Sequence, residues 1–175
     1  MRNFLPLLAL SSIASLGYAQ NPQVMSTKGF FEIVKGNVIK SVDKMPESKY
    51  SYKPAEGVRT YSQLLAHIAD SQYGICGTAK GAPQQKGIEQ AGIKTAAEAK
   101  KALTEAFAFC DSAYEGLTDA ASAQTVSFFG QTVTKLSVLA FNTAHTFEHY
   151  GNLVTYMRAN GIVPPSSEGG GGKKK

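Results

Sequence analysis

The sequence predicts an all-α protein, a single four-helix bundle with long inter-helix loops, and three observations lead there. Four segments repeat apolar residues at three- and four-residue spacing, the signature of one buried helical face. Two of them open on a capping-box pattern, Thr60 with Gln63 and Thr95 with Glu98. The prolines fall between these segments and never inside them. A chain of 175 residues, 43% apolar and 18% charged, has room for one domain with a real core and is too apolar for wholesale disorder.

Residues 1–19 read as an export signal. Arg2 supplies a positive start, Phe4 to Leu16 an apolar stretch, and Gly17-Tyr18-Ala19 small residues at the two positions a signal peptidase inspects, so that Gln20 begins the mature chain. A retained anchor is the weaker alternative: the run falls short of the roughly 20 residues needed to span a bilayer, and Ser11, Ser12 and Ser15 dilute it. The mature protein is expected to be periplasmic or secreted, without stable membrane insertion after cleavage.

The bundle is expected over residues 20–163. Its first helix runs from about Gln23 to Lys44, with Met25, Phe30, Phe31, Val34, Val38, Ile39 and Val42 as its apolar face, and Pro46 ends it. Residues 45–59, with Pro46, Pro54 and Gly57, form a loop. The second helix follows the Thr60 cap to about Lys80 and buries Tyr61, Leu64, Leu65, Ile68 and Ile75. After a Gly/Pro/Gln loop over residues 81–94, the Thr95 cap opens a third helix to about Leu117, with Ala99, Leu103, Ala106, Phe107, Cys110 and Tyr114 inward. Residues 118–133 read as irregular, with an extended turn around Ser127-Phe128-Phe129-Gly130 but no sheet. The last helix starts near Thr134 and stops at Asn160-Gly161, a C-cap pair, before Pro164 and Pro165. The tail over residues 164–175, PPSSEGGGGKKK, is low in complexity and expected to be disordered.

The formal charge of +5 suggests an anionic partner at first sight, but the ends contribute much of it. Without Arg2, Lys173 to Lys175 and Glu168 the chain holds 14 basic and 12 acidic residues, dispersed along it with no basic stripe. Nucleic-acid binding is therefore not expected. The Lys173 to Lys175 run leaves one weak route to anionic lipid, though so short a basic tail is usually solvated.

All three histidines of the chain fall inside expected helices. His145 and His149 lie four apart, on one helical face with β-carbons roughly 5–6 Å from each other. His67, from the second helix, can close a three-nitrogen site with at least one coordination position left for water or substrate. Zinc and nickel lead among the divalent metals, and manganese and iron also accept imidazole. Asn142, His145, His149 and Asn152 form a polar stripe on a largely apolar helix, which makes Asn142 and Asn152 candidates for orienting the ligands. The competing reading is ordinary: a lone core histidine at 67 and a solvated pair at 145 and 149. His145 to His149 also fits H-x-x-E-H, an inverted zinc-peptidase pattern with Glu148 as base, but the only later carboxylate, Glu168, sits in the tail and supplies no third ligand. Glu148 and Asp70 remain candidates for a base or a hydrogen-bond acceptor behind the ligands, against an exposed helical carboxylate in each case.

The run YSQLLAHIADSQ around His67, followed downstream by NTAHTFEHYGNLVTYMRANGIVPP, resembles the DinB-like superfamily of metal-dependent enzymes over roughly residues 25 to 165. The resemblance implies an up-down-down-up four-helix bundle with His67, His145 and His149 as metal ligands. It also bears on the two cysteines. In that topology the second and third helices are parallel, and Cys76 and Cys110 lie sixteen residues after Thr60 and fifteen after Thr95, at nearly equal depth. An antiparallel pair would offset them by roughly 15 Å, beyond the span of about 4.4–6.8 Å between α-carbons that a disulfide tolerates. A Cys76–Cys110 disulfide is therefore expected, with two buried free thiols as the alternative.

Among characterised relatives, the resemblance implies thiol transferases and thiol-dependent isomerases. An exported protein does not meet the cytoplasmic thiol pool, which favours hydrolysis over thiol transfer. A non-catalytic bundle that binds a metal or ligand is the alternative from a different class. The small-molecule substrate is unspecified, a homodimer stays open, and with only Arg59 and Arg158 in the mature body no bidentate anion clamp is evident.

Overall fold

A computed structural model describes residues 21–168. The expected export signal lies outside the described residues, as does the tail beyond Glu168. Four long helices carry the fold: α1 (Pro22–Lys44), α2 (Tyr61–Ala79), α4 (Ala96–Tyr114) and α6 (Lys135–Ala159), with the one-turn helices α3 (Ile88–Ala91) and α5 (Asp119–Ser122) and a hairpin of β1 (Thr125–Phe128) and β2 (Gln131–Thr134) between them. No helix among the described residues is long and apolar enough to cross a membrane.

Local chemistry sets the helix starts. The Thr60 and Thr95 hydroxyls accept the Gln63 and Glu98 amides, and the Gln63 and Glu98 side chains return to the cap amides, so both capping boxes are complete. Thr134 caps α6 by accepting the Ser137 amide at 3.1 Å. At the far end Gly161 adopts φ +74°, and the Gly161 and Ile162 amides donate to Arg158 and Met157, which satisfies carbonyls that the helix leaves open.

Helix α2 packs against α4 and α6, and α1 closes the bundle against α6 and α4. Every expected core position of α2 and α4 is buried. In α1 the buried ladder is Val24, Phe31, Val34, Val38 and Val42, whereas Met25 and Phe30 are exposed. Apolar residues at 24 and 25, and at 30 and 31, stand roughly 100° apart around a helix with 3.6 residues per turn, so one of each pair faces outward.

Cys76 and Cys110 form a disulfide between α2 and α4, with α-carbons 5.2 Å apart. Tyr73 against Phe109 and Lys80 on Ser112 flank it, and these pairs advance in the same direction along both helices. The loop after α2 turns back over that helix: the Ala82 amide donates to Gly77, and the Gln84 amide to Tyr73. Gly77 permits the approach, since a β-carbon there would stand 2.7 Å from the Ala82 carbonyl oxygen and the Pro83 α-carbon.

Two expectations are corrected. The stretch expected to hold no sheet contains the antiparallel pair β1–β2, with Val126 opposite Val133 and both packed against the core. Its turn, Phe129-Gly130, has φ values of +47° and +76°, the positive pair that a two-residue hairpin turn of type I′ requires. Such turns favour Asn-Gly, and Phe-Gly hid the signal. The start of the expected disordered tail is packed as well: Pro164 and Pro165 are buried, the Ser166 amide donates to the Tyr150 hydroxyl, and Glu168 pairs with Lys44.

Candidate metal centre

Helices α2 and α6 face each other along the bundle, and three imidazoles meet between them. One donor nitrogen from each of His67, His145 and His149 lies within 4.8 Å of the others. The ring centroids stand 4.6 Å apart for His67 and His149, 5.3 Å for His67 and His145, and 4.4 Å for the α6 pair. His145 and His149 converge because four residues make just over one turn, and they bring Nε2 to Nε2 at 3.0 Å.

The hydrogen bonds behind the rings decide which atoms face the common point. His67 Nδ1 donates to the Glu89 carboxylate at 3.1 Å, which leaves its Nε2 for a ligand. The Asn152 side-chain amide lies 3.4 Å from His149 Nδ1, and with that amide turned so that its oxygen accepts from Nδ1–H, Nε2 of His149 is free as well. His145 Nδ1 is buried without a hydrogen-bond partner among the described residues. Among the described residues the ring's hydrogen-bond partner is therefore the His149 imidazole, at Nε2. Two neutral imidazoles facing through Nε2 share at most one proton, whereas a single cation satisfies both lone pairs.

The electrostatics favour the neutral, ligating form. Burial, with the adjoining His145 and His67, pushes His149 down to about 4. Burial and His67 likewise lower His145, against a small opposing pull from Glu148. A first-row divalent ion binds imidazole nitrogen at about 2.0–2.1 Å, so donors within 4.8 Å of one another need only small side-chain adjustments to share it. The donor set fits a metal ion.

Glu89 was not singled out in the sequence, and it anchors the site from outside. It accepts from Arg59 Nε at 2.6 Å through one oxygen and meets His67 through the other. Burial works to raise its carboxyl, but the Arg59 and His67 hydrogen bonds outweigh burial and hold it below its ordinary value. Asp70 explains how Glu89 comes to be there: its carboxylate accepts the Ile88 and Glu89 amides at 3.1 and 2.8 Å, pinning the one-turn helix α3 against α2. Asp70 thus braces α3, the turn that carries Glu89. No spacing rule joins Arg59, His67 and Glu89, because a tertiary contact brings them together.

Asn142 corrects another expectation. It is fully buried and its hydrogen bonds go to residues other than the histidines: it donates to Gln72 Oε1 at 2.8 Å and to the Cys110 sulfur at 3.4 Å, while Gln72 donates to Thr146. Asn152, on the rim, does reach His149. Glu148 is exposed on a cavity of about 710 Å³ that it shares with His149, Arg59, Glu89 and Asn152. Glu168 remains outside the histidine group.

Comparison with known proteins agrees with this architecture. YjoA, an uncharacterised protein of Bacillus subtilis (strain 168), is 30% identical over 122 residues, spanning 68% of this chain and 79% of its own. A DinB-like protein from Bacillus cereus ATCC 10987 superposes with a TM-score of 0.68 at 19% identity, over 79% of this chain and 95% of that one. The YjoA crystal structure gives 0.63 at 23%, over 78% and 92%. A mycothiol-dependent maleylpyruvate isomerase shares the fold at 0.61 and 15% identity, over 74% of this chain but 60% of the isomerase. Residues 31–153 match the DinB superfamily, and the chain belongs to that family.

Proposed function

We propose that this protein is an exported metal-dependent enzyme that holds one divalent ion, zinc or nickel, through His67, His145 and His149, and acts on a small molecule by hydrolysis or group transfer. The observation that carries the reading is the convergence of three imidazole donors within 4.8 Å of one another. Export is supported by the composition of residues 1–19 and by the Cys76–Cys110 bridge, a pairing that persists in oxidising compartments. The mycothiol dependence of the isomerase supports a thiol as one class of co-substrate.

An ion held by His67, His145 and His149 would supply Lewis acidity at a position the histidines leave free, and would lower the pKa of water or a thiol there. The residues of the chain do the positioning. Glu89 holds the His67 ring through Nδ1, Arg59 and the Asp70-braced turn hold Glu89, and Asn152 steadies His149. Glu148 lines the cavity beside His149 as a proton acceptor.

Metal analysis of the purified protein tests the reading. One equivalent per chain is expected, lost in His145→Ala. Glu89→Gln is expected to keep the site but weaken it by roughly 10–100-fold, the usual effect of removing a carboxylate behind a ligating histidine. Equal metal content in His145→Ala and the parent protein overturns the proposal.

A further inference from the structure

The hairpin is the part of this molecule that a four-helix bundle does not need. It sets Phe128 and Phe129 beside Phe141 of α6, with ring centroids 4.3 Å apart for 128 and 129, 5.1 Å for 128 and 141, and 5.8 Å for 129 and 141. Both contacts with Phe141 are edge-to-face, and Phe141 in turn lies nearly parallel to the His145 ring at 6.1 Å.

Phe129 carries two costs there. Its φ of +47° is a backbone conformation that bulky residues avoid, and its side chain is 78% exposed. Asparagine or glycine would make the same turn without strain or exposed apolar surface. Folding therefore does not explain a phenylalanine at this position.

The space it borders offers an explanation. A cavity of about 430 Å³ is lined by Phe128, Phe129 and Phe141 together with His67 and His145. Ser71 and Thr78 also line it, and both hydroxyls donate to carbonyls of their own helix, at His67 and Gly74. Their protons are committed, so they present acceptor lone pairs to a ligand. No Lys, Arg, Asp or Glu is among the lining residues. The volume falls in the range of small-molecule sites.

We infer that this cavity is a substrate subsite for an uncharged aromatic ring bearing an O–H or N–H, joined to a donor group that reaches the three histidines. The three phenylalanines contact the ring by edge and face, Ser71 and Thr78 accept from its polar substituent, and His67 and His145 in the same lining set the distance to the reacting end. The inference rests on the metal reading above for the reacting end only.

Two hydroxamates separate the parts. Benzohydroxamate and acetohydroxamate carry the same chelating group, and only the first has a ring. In titrations of the zinc-loaded protein, benzohydroxamate is expected to bind roughly tenfold tighter, after correction for the two affinities toward free zinc, because an aromatic ring leaves water for an aromatic cage. Phe129→Ala and Phe141→Ala are each expected to cut that preference to roughly threefold or less, with the loss confined to the ring-bearing probe. No preference in the parent protein, or a preference intact in both variants, overturns the subsite. If zinc does not bind, the metal reading fails and the subsite is read alone, by titrating phenol into the chelator-treated protein by NMR. Saturable shifts in the parent and not in Phe129→Ala then support it, and the absence of saturable shifts in the parent overturns it.

Discussion

His149 shows what the site demands of a single side chain. It is 8% exposed and has two other imidazoles as neighbours, so a positive charge on it is opposed first by burial and then by His145 and His67. Its ordinary value of 6.5 falls to about 4 in the folded chain. The unfolded chain therefore binds a proton that the folded, metal-free chain refuses across that window. The sign follows by linkage: stability is whole above pH 6.5 and declines as the pH falls toward about 4, where the folded form also takes the proton. We expect the urea midpoint of the chelator-treated protein to drop between pH 7 and pH 5, and to drop less in His149→Asn. A midpoint equally pH-dependent in both would mean that another group carries the effect. Part of this site was legible from spacing alone. His145 and His149 share a face because helical geometry is local, whereas Glu89 was illegible because its place depends on Asp70 bracing α3 from another element.

At the scale of elements, the β1–β2 hairpin is where local preference and observed structure disagree. The chain holds Phe129 in left-handed backbone with most of the residue exposed, and Gly130 carries the second positive φ without penalty. Phe129→Asn should relieve the strain and raise unfolding stability by about 1 kcal/mol. It should also weaken benzohydroxamate binding, a trade of stability against recognition that thermal melts and titration of the same variant would expose. A variant no more stable than the parent would show that the turn is relaxed around Phe129. The same disagreement explains which elements could be read in advance. Thr60, Thr95 and Thr134 announce helix starts because a cap needs only its own next turn. Met25 and Phe30 misled because periodicity does not say which of two adjacent apolar stripes the core will take. Phe129-Gly130 concealed a hairpin because its first residue contradicts the turn it makes.

For the molecule as a whole, the Cys76–Cys110 bridge fastens α2, the helix carrying His67, to α4, which supplies no ligand. Its sequence separation of 34 closes a long loop containing the whole of α3, with the Glu89 that holds His67. Beside it, Cys110 accepts from Asn142, which sits three residues before His145 on α6 and bonds to Gln72 on α2. The bridge thus joins a buried polar contact that spans the two ligand-bearing helices. Loop-closure entropy for a loop of this length predicts a contribution of roughly 3–4 kcal/mol from constraining the unfolded chain. Reduction, or the double substitution of Cys76→Ala with Cys110→Ala, is accordingly expected to lower the denaturation midpoint sharply. The folded fraction should still bind metal, because no ligand moves with the sulfurs. The two readouts separate the roles: a midpoint unchanged when both thiols are shown to be free removes the stabilising role, and metal lost from a variant that remains helical would make the bridge part of the site's positioning. A loss of stability with metal retained is the outcome we expect, because neither Cys76 nor Cys110 belongs to the three-histidine group.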